Sequence, residues 1–374
     1  MGDRSDVLRR RRLERGLPLI IMLMQQHAPT TAESAAPLTT TTITTAASRP
    51  KLMRRLLGFD ELGVLLALVA LVGGIGAFHH AFLSGDVLLS TVRQAAFVAL
   101  VSYGMVFLLA MGELDLSVGG TYAVTILGTA LLIADHGLNP WLAIPVGIAI
   151  GMGLGCLNGL ISNVFRVPVI IVTLGTLSAY RGFATVISGG SGVAGLPLDN
   201  SFFQRFGGDV LGVPVAVWAV IVVGVGLTVL LRSTRFGAAV RAVGSNHQAA
   251  RFSGIPIART RLLALTLVGG LAGLAGVLSL AYFQSADPTV GGGFELQVIA
   301  AAVIGGTAVT GGSGTVPGAL IGALIVAVIN SGLVFFSIPG NWSSFVTGVV
   351  IVVAVVLDGI VRRRKAALAA RHNT

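Results

Sequence analysis

The chain has 374 residues, of which 54% are hydrophobic and only 11% are charged, and its mean hydropathy is +0.89. A soluble domain of this length carries about twice as much charge, so the composition excludes an ordinary soluble protein and predicts an all-α integral membrane protein. The net charge of +10 lies at both ends and in one mid-chain loop. This distribution is typical of cytoplasmic segments of membrane proteins rather than of a nucleic-acid-binding surface.

Residues 1–58 are predicted to form a disordered, basic and Thr/Ala-rich tail on the cytoplasmic side. Its apolar run Pro18–Met24 is too short to span a bilayer, which takes about 20 residues. The alternative for this run is the core of a signal peptide, but no plausible cleavage site leads into a secreted domain. Residues 362–374 form a second basic cytoplasmic tail, and residues 59–361 are predicted to be the transmembrane domain.

Ten apolar runs follow the tail and predict about ten transmembrane helices. The runs are Leu62–Phe82, Ala95–Met111, Ser117–Ala134, Trp141–Ser162, Val167–Ser188, Val213–Leu231, Leu262–Phe283, Leu296–Val309, Val316–Phe336 and Phe345–Val361. The eighth is short and interrupted by glycine, which predicts a broken or re-entrant segment. Glycines at intervals of four residues, such as Gly151, Gly155 and Gly159, Gly269 and Gly273, and Gly318 and Gly322, predict close contacts between helices.

Arginine sets the orientation of these runs. The loop from Arg232 to Arg261 holds six arginines and no acid, and the segments Arg49–Arg55 and Arg362–Lys365 are equally one-sided. The positive-inside rule places all three in the cytoplasm. Six spans return the chain to the cytoplasm at residue 232 and four more at residue 362, so both termini are predicted to be cytoplasmic.

A short capped helix is predicted within the arginine loop. Asn246 caps it, residues 247–253 form two turns, and Gly254 supplies the left-handed stop. Such a helix indicates a docking element, and the alternative is a solvated basic loop. Neither lysine follows the GxxxxGK[ST] pattern of a nucleotide site, so any ATP-driven step belongs to another polypeptide. We expect no catalytic residue, metal or cofactor in this chain.

The stretch MGELDLSVGG, residues 111–120, places two carboxylates between apolar runs. An ionised side chain inside a bilayer costs about 2.5–3.5 kcal/mol on insertion scales, so Glu113 and Asp115 need a reason to be there. One hypothesis is that they line a substrate pathway. The other is structural: Asp115 caps the next helix, and a buried ion pair, for which Arg181 is a candidate, holds the region together. We predict that Asp115→Asn impairs transport more than Glu113→Gln.

Other polar residues are candidates for the same pathway. Ser117, Thr173, Thr176 and Arg181 have this role in one interpretation. In the other, the threonines bond back to their own helix and the arginine reaches toward the membrane surface. Glu295 is predicted at the outer mouth, where it meets either a binding protein or the substrate.

Four blocks resemble the permease subunits of ribose-type monosaccharide ABC importers, in the same order and over about residues 60–360. They are GELDLSVGGTYA (112–123), NGLISNVFRVPVIIVTLGTLSAYRG (158–182), TRFGAAVRAVGSNHQAARFSGI (234–255) and the glycine-rich block at 286–333. The family often has acids where this chain has His247 and Gln248, and often a glycine at the position of Glu113.

The resemblance implies a permease that pairs with a second copy or a homologue. Its other partners would be ATP-binding subunits, which hold ATP and magnesium, and an extracytoplasmic sugar-binding protein. The positions that match the family's ATPase-coupling segment are Arg241, Gly244, Asn246, Ala249, Ala250, Arg251 and Gly254. The substrate would be a monosaccharide such as ribose or xylose, imported across the cytoplasmic membrane by alternating access. The alternative is an ion-coupled secondary transporter that uses Glu113 and Asp115, and a membrane enzyme or passive scaffold is a third class.

Overall fold

A computed structural model of the protein describes residues 61–339, 342, 345–353 and 356. The two predicted tails, at 1–58 and 362–374, lie outside the described residues. The tenth apolar run is described in part, and its residues 345–353 are helical.

Helices make up most of the described chain. They are α1 (Leu62–Phe78), α2 (Gly85–Ala110), α3 (Val118–Ala134), α4 (Ala143–Phe165), α5 (Val169–Ile187), α6 (Ser201–Arg205), α7 (Val215–Ser233), α8 (Arg235–Ser245), α9 (His247–Phe252), α10 (Ile257–Phe283), α11 (Phe294–Ile304) and α12 (Val316–Phe335), with 3₁₀ turns at His80–Leu83 and Pro140–Leu142. The all-α prediction misses one short hairpin, in which β1 (Asp209–Val210) pairs antiparallel with β2 (Val213–Pro214).

Six described helical segments are long and apolar enough to cross a membrane: α2, α4 with the 3₁₀ turn before it, α5, α7, α10 and α12. Three apolar helices, α1, α3 and α11, are shorter. The six confirm a helical membrane protein, and the nine together coincide with nine of the ten predicted runs. The full count of ten spans and the orientation of the termini stay predictions.

Two helices, α2 and α10, form the centre of the bundle, and most of their side chains are buried. The outer helices α4, α5 and α7 present apolar side chains to the outside, as a lipid-facing surface does. Glycines let α10 lie directly against α4. A Cβ on Gly151 would collide with the carbonyl oxygen of Gly269, and one on Gly155 with that of Leu265. The predicted glycine contacts are therefore confirmed, because backbone touches backbone at this crossing.

The eighth apolar run forms the half-length helix α11. Its 11 residues span about 16 Å, roughly half of a bilayer core. The hydroxyl of Ser102 donates to the carbonyl of Val298 over 3.0 Å, and the amide of Gly312 donates to the carbonyl of Ala110 over 2.9 Å. Helix α11 therefore runs beside the second half of α2 and begins near its middle. This agrees with the predicted break.

Several connections meet at one end of the bundle, which we call the arginine-rich end. It holds residues 111–117, 166–168, 234–256 and 305–315. Their contacts join them: Gly312 bonds to Ala110, and Asn163 donates to the carbonyl of Ala258 over 2.8 Å. The site described next begins here and extends toward the middle of the bundle.

Candidate functional site

The stretch MGELDLSVGG forms a break between two helices, as the sequence predicts. Helix α2 ends at Ala110, Gly112 takes a positive φ of 76° that a side chain disfavours, and α3 begins at Val118. The two carboxylates within the break have different partners: Asp115 is bonded within the break, whereas Glu113 pairs with a residue of α10.

Asp115 begins a chain of buried hydrogen bonds. Its carboxylate, 2% exposed, accepts from the amide of Ser117 over 2.7 Å and from its hydroxyl over 2.6 Å, just before α3. The Ser117 hydroxyl accepts from the amide group of Asn158 on α4 over 2.8 Å. Asn158 in turn accepts from the hydroxyl of Tyr180 on α5 over 2.9 Å. We call these four residues the polar network, and it joins the break to two neighbouring helices.

Glu113 forms an ion pair with Arg261 at the start of α10. Its Oε1 lies 2.6 Å from both Nε and Nη2 of the guanidinium. The same guanidinium donates to Asn163 on α4 over 3.2 Å. The side chains of Glu113 and Arg261 are 14% and 22% exposed, so the pair is shielded from most solvent. This pair is attached to the arginine loop, whereas Asp115 faces the interior.

Arg181 on α5 pairs with Glu295 in the first turn of α11. Its Nη2 lies 2.8 Å from Oε2 and also donates to the carbonyl of Gly291 over 2.9 Å. A Cβ on Gly119 of α3 would collide with the same Oε2, so three elements meet closely at this carboxylate. Arg181 therefore forms an ion pair, but with Glu295 rather than with a carboxylate of the break, and its own side chain is half-buried.

Two predictions need correction at this point. The candidate ion pair between Arg181 and a carboxylate of the break is not formed, because Glu113 pairs with Arg261 and Asp115 accepts hydrogen bonds from Ser117. The expected place of Glu295 at the outer mouth is also wrong. Its residue surface is 7% exposed and it packs against the first turn of α3. A buried, paired carboxylate at that depth is not placed to dock an external protein.

The candidate hydroxyls on α5 bond within the chain. Thr173 is fully buried, and its hydroxyl lies 3.4 Å from the carbonyl oxygen of Ile170 and 3.5 Å from that of Leu114. The hydroxyl of Thr176 lies 3.4 Å from the carbonyl oxygen of Thr173. The opposite face of α5 is exposed and combines small residues with apolar ones, namely Ile171, Leu174, Gly175, Ser178, Ala179, Gly182, Phe183 and Val186.

Helix α9 has the predicted geometry. The side chain of Asn246 accepts from the amide of Ala249 over 2.9 Å, and Gly254 has a positive φ of 76°. A further helix, α8, precedes it and was not predicted from sequence. The hydroxyl of its cap Thr234 accepts from the amide of Gly237 over 3.2 Å. The arginine loop is therefore two short helices rather than a solvated loop.

The seven predicted coupling residues divide into an internal and an exposed set. Arg241 donates to the carbonyl of Leu231, Ala250 is 4% exposed, and a Cβ on Gly244 would collide with the carbonyl oxygen of Ala110. These three hold α8 and α9 on the bundle, and their match to the coupling segment stays a prediction. Asn246, Ala249, Arg251 and Gly254 are exposed.

The exposed surface of α9 also includes Phe252, which sequence reasoning missed. Its side chain is 90% exposed at the end of the helix. A large aromatic residue in a basic, solvent-exposed loop was the available signal. Asn158 and Tyr180 were missed as well, and the signal there was polarity inside apolar runs. The pairing of Arg261 with Glu113 spans 148 positions and gave no local signal.

The family model described as branched-chain amino acid transport system / permease component matches residues 87–355, which include nearly all of the described helices. The match defines the chain as a membrane permease, a multi-pass protein of the cell membrane. It belongs to this family of transport system permease components.

Relatives agree with that assignment. The chain is 38% identical over 300 residues to the ribose import permease protein of Bacillus subtilis (strain 168), covering 80% of this chain and 92% of the relative. It is 34% identical over 319 residues to the D-allose transport system permease protein of Escherichia coli (strain K12), covering 85% and 97%. The autoinducer 2 import system permease protein of Enterobacter sp. (strain 638) is 35% identical over 316 residues, covering 83% and 90%. No solved structure matches the chain.

Proposed function

We propose that the chain is the membrane subunit of an ATP-driven importer that carries a monosaccharide into the cell by alternating access. The observation that supports it most is the similarity, over four fifths or more of the chain, to permeases named for ribose and D-allose import. An extracytoplasmic binding protein would deliver the sugar. Separate ATP-binding subunits would hold ATP and magnesium, and the chain itself would not be an enzyme. Ten spans with cytoplasmic termini agree with the arginine distribution.

The substrate pathway, in this proposal, lies along the exposed face of α5 and is completed by a second permease copy or a homologue. Small residues on that face, such as Gly175, Ser178 and Gly182, leave room for a polyol and allow a close approach between helices. Thr176 and Arg181 lie beside it and are half-buried. Glu113, Asp115, Ser117 and Thr173 would then act on the pathway by holding the elements that border it.

The alternative of an ion-coupled transporter requires carboxylates that bind and release the coupling ion. Glu113 is paired with Arg261, and Asp115 accepts two hydrogen bonds from Ser117. These contacts give both carboxylates a positional role. Uptake in vesicles separates the two functions. Uptake that persists without the ATPase subunit and follows the proton gradient would refute an ATP-driven importer.

Helix α9 is the proposed contact with the ATPase subunit, and a substitution of Phe252 tests this contact. Full burial of a Phe side chain is worth about 1.5–3 kcal/mol, and each 1.4 kcal/mol is tenfold in affinity. We expect Phe252→Ala to weaken ATPase binding by about tenfold or more and to reduce sugar uptake. Leu211, also 90% exposed but in the β1–β2 turn, is the matched control.

The measurement is the affinity of the ATPase subunit for the permease in nanodiscs, with uptake in proteoliposomes as the second readout. Leu211→Ala should leave the affinity unchanged. Wild-type affinity and uptake in the Phe252→Ala variant would show that this surface of α9 does not contact the ATPase subunit.

A further inference from the structure

A cavity of about 540 Å³ opens at the arginine-rich end, between the break and helices α4, α5 and α10. Its polar lining comes from Glu113, Ser162, Asn163, Arg166 and Arg261. The first turn of α5, at Val169 and Ile170, closes one side. A volume of this size is sufficient for a small polar ligand. Neither the proposed pathway along α5 nor the proposed ATPase contact on α9 includes this cavity.

The charges in the cavity favour an anion. Its lining holds two arginines and one carboxylate, and only Arg261 is occupied by that carboxylate. Arg166 has no hydrogen bond or ion pair within the part of the chain that the structure describes. Helix α5 begins beside it without a side-chain cap, so its free amides and positive dipole end add to the attraction. An anionic group fits between Arg166 and this helix start.

The carboxylate adds a second requirement. Oε2 of Glu113 is buried and receives no hydrogen bond from the described residues. A buried acceptor without a donor is costly, so a fitting ligand carries a donor near its anionic group. A neutral monosaccharide would satisfy Glu113 but would leave Arg166 and the start of α5 without an anion.

The surroundings of the cavity indicate where such a ligand comes from. At the end of α4, one of the helices that border the opening, Val164 is 68% exposed and Phe165 is 71% exposed. In a membrane protein these apolar side chains face acyl chains. We propose that the cavity binds the headgroup of a phospholipid that carries a hydrogen-bond donor two carbons from its phosphate ester, as in phosphatidylethanolamine or phosphatidylglycerol. The phosphate lies at Arg166, the ammonium or hydroxyl group donates to Glu113, and the acyl chains cover the apolar side chains.

The test measures lipid-dependent stability of the full chain in detergent after delipidation, by thermal unfolding, with native mass spectrometry to count retained lipids. We expect phosphatidylethanolamine and phosphatidylglycerol to raise Tm by about 2 °C or more. Phosphatidylcholine, which has no headgroup donor, should give a much smaller shift. Arg166→Gln should abolish the selectivity. Arg259→Gln, an exposed arginine outside the cavity lining, should retain it.

Four outcomes would overturn the proposal: an equal shift with phosphatidylcholine, unchanged selectivity in Arg166→Gln, an equal shift with soluble glycerophosphoethanolamine, or displacement of the lipid by ribose. The third would indicate a site for free phosphate esters, and the fourth a part of the substrate pathway. No step of the test measures transport, so its outcome is independent of whether the chain imports a sugar. Retained Tm of Arg166→Gln in phosphatidylcholine shows that the variant is folded.

Discussion

Gly151→Ala tests the close crossing of α4 and α10. The new Cβ would collide with the carbonyl oxygen of Gly269 and lie 2.9 Å from the amide nitrogen of Gly273. Both are backbone atoms, so no side chain can rotate away and the helices have to separate. Overpacking of this kind costs about 1–3 kcal/mol. The gain in helix propensity on replacing Gly by Ala, about 1 kcal/mol in water, acts in the opposite direction.

Gly153 provides the matched control on the same helix, because a Cβ there meets nothing within 4 Å. Gly153→Ala has the propensity gain without the collision, so the difference between the two variants isolates the packing cost. We expect the midpoint of thermal unfolding of Gly151→Ala, measured by fluorescence-detected size exclusion of a tagged protein, to lie several degrees below that of Gly153→Ala. Equal midpoints would refute the argument that backbone contact holds these helices together.

Two further predictions concern transport. Under the proposed function, we expect Glu113→Gln to reduce sugar uptake more than Asp115→Asn, the reverse of the order predicted from sequence. The first substitution removes the charge that pairs with Arg261. The second substitution keeps the oxygen that accepts both hydrogen bonds from Ser117. Comparable uptake in both variants would remove the ion pair from the mechanism. Gly119→Ala should lower uptake by displacing the carboxylate of Glu295, whereas Gly128→Ala on the same helix, whose Cβ would make one ordinary contact at 3.7 Å, should not. Uptake assays of variants expressed at matched levels test both predictions.

Local chemistry explains what sequence could predict. Glycines at a spacing of four residues lie on one helix face whatever surrounds them. A close helix contact at Gly151 and Gly155 could therefore be predicted from the sequence. The caps of α9 could be predicted for the same reason, because Asn246 and Gly254 terminate the helix through contacts within one turn. The break at residues 111–117 followed from glycine and acids between two apolar runs.

Ion pairs between residues far apart in the sequence could not be predicted in this way. Glu113 meets Arg261 across 148 positions and Arg181 meets Glu295 across 114. Their pairing depends on the depth at which each helix lies, and that depth follows from packing. Glu295 shows this directly. Its position in the chain, after an outer connection, predicted the outer mouth, but α11 begins near the middle of the bundle.

The polar contacts of α5 constrain how this helix can move. Its adjacent residues Tyr180 and Arg181 bond to different neighbours, Asn158 on α4 and Glu295 on α11. Any displacement of α5 therefore has to carry each of these neighbours with it or break the contact to that neighbour. Losing Arg181 would leave the Glu295 carboxylate, whose side chain is 10% exposed, without its charged partner, and losing Tyr180 would leave the buried Asn158 without a donor, both of which are unfavourable. A motion of α5 together with α4 and α11 keeps both polar contacts, whereas a motion of α5 alone breaks them.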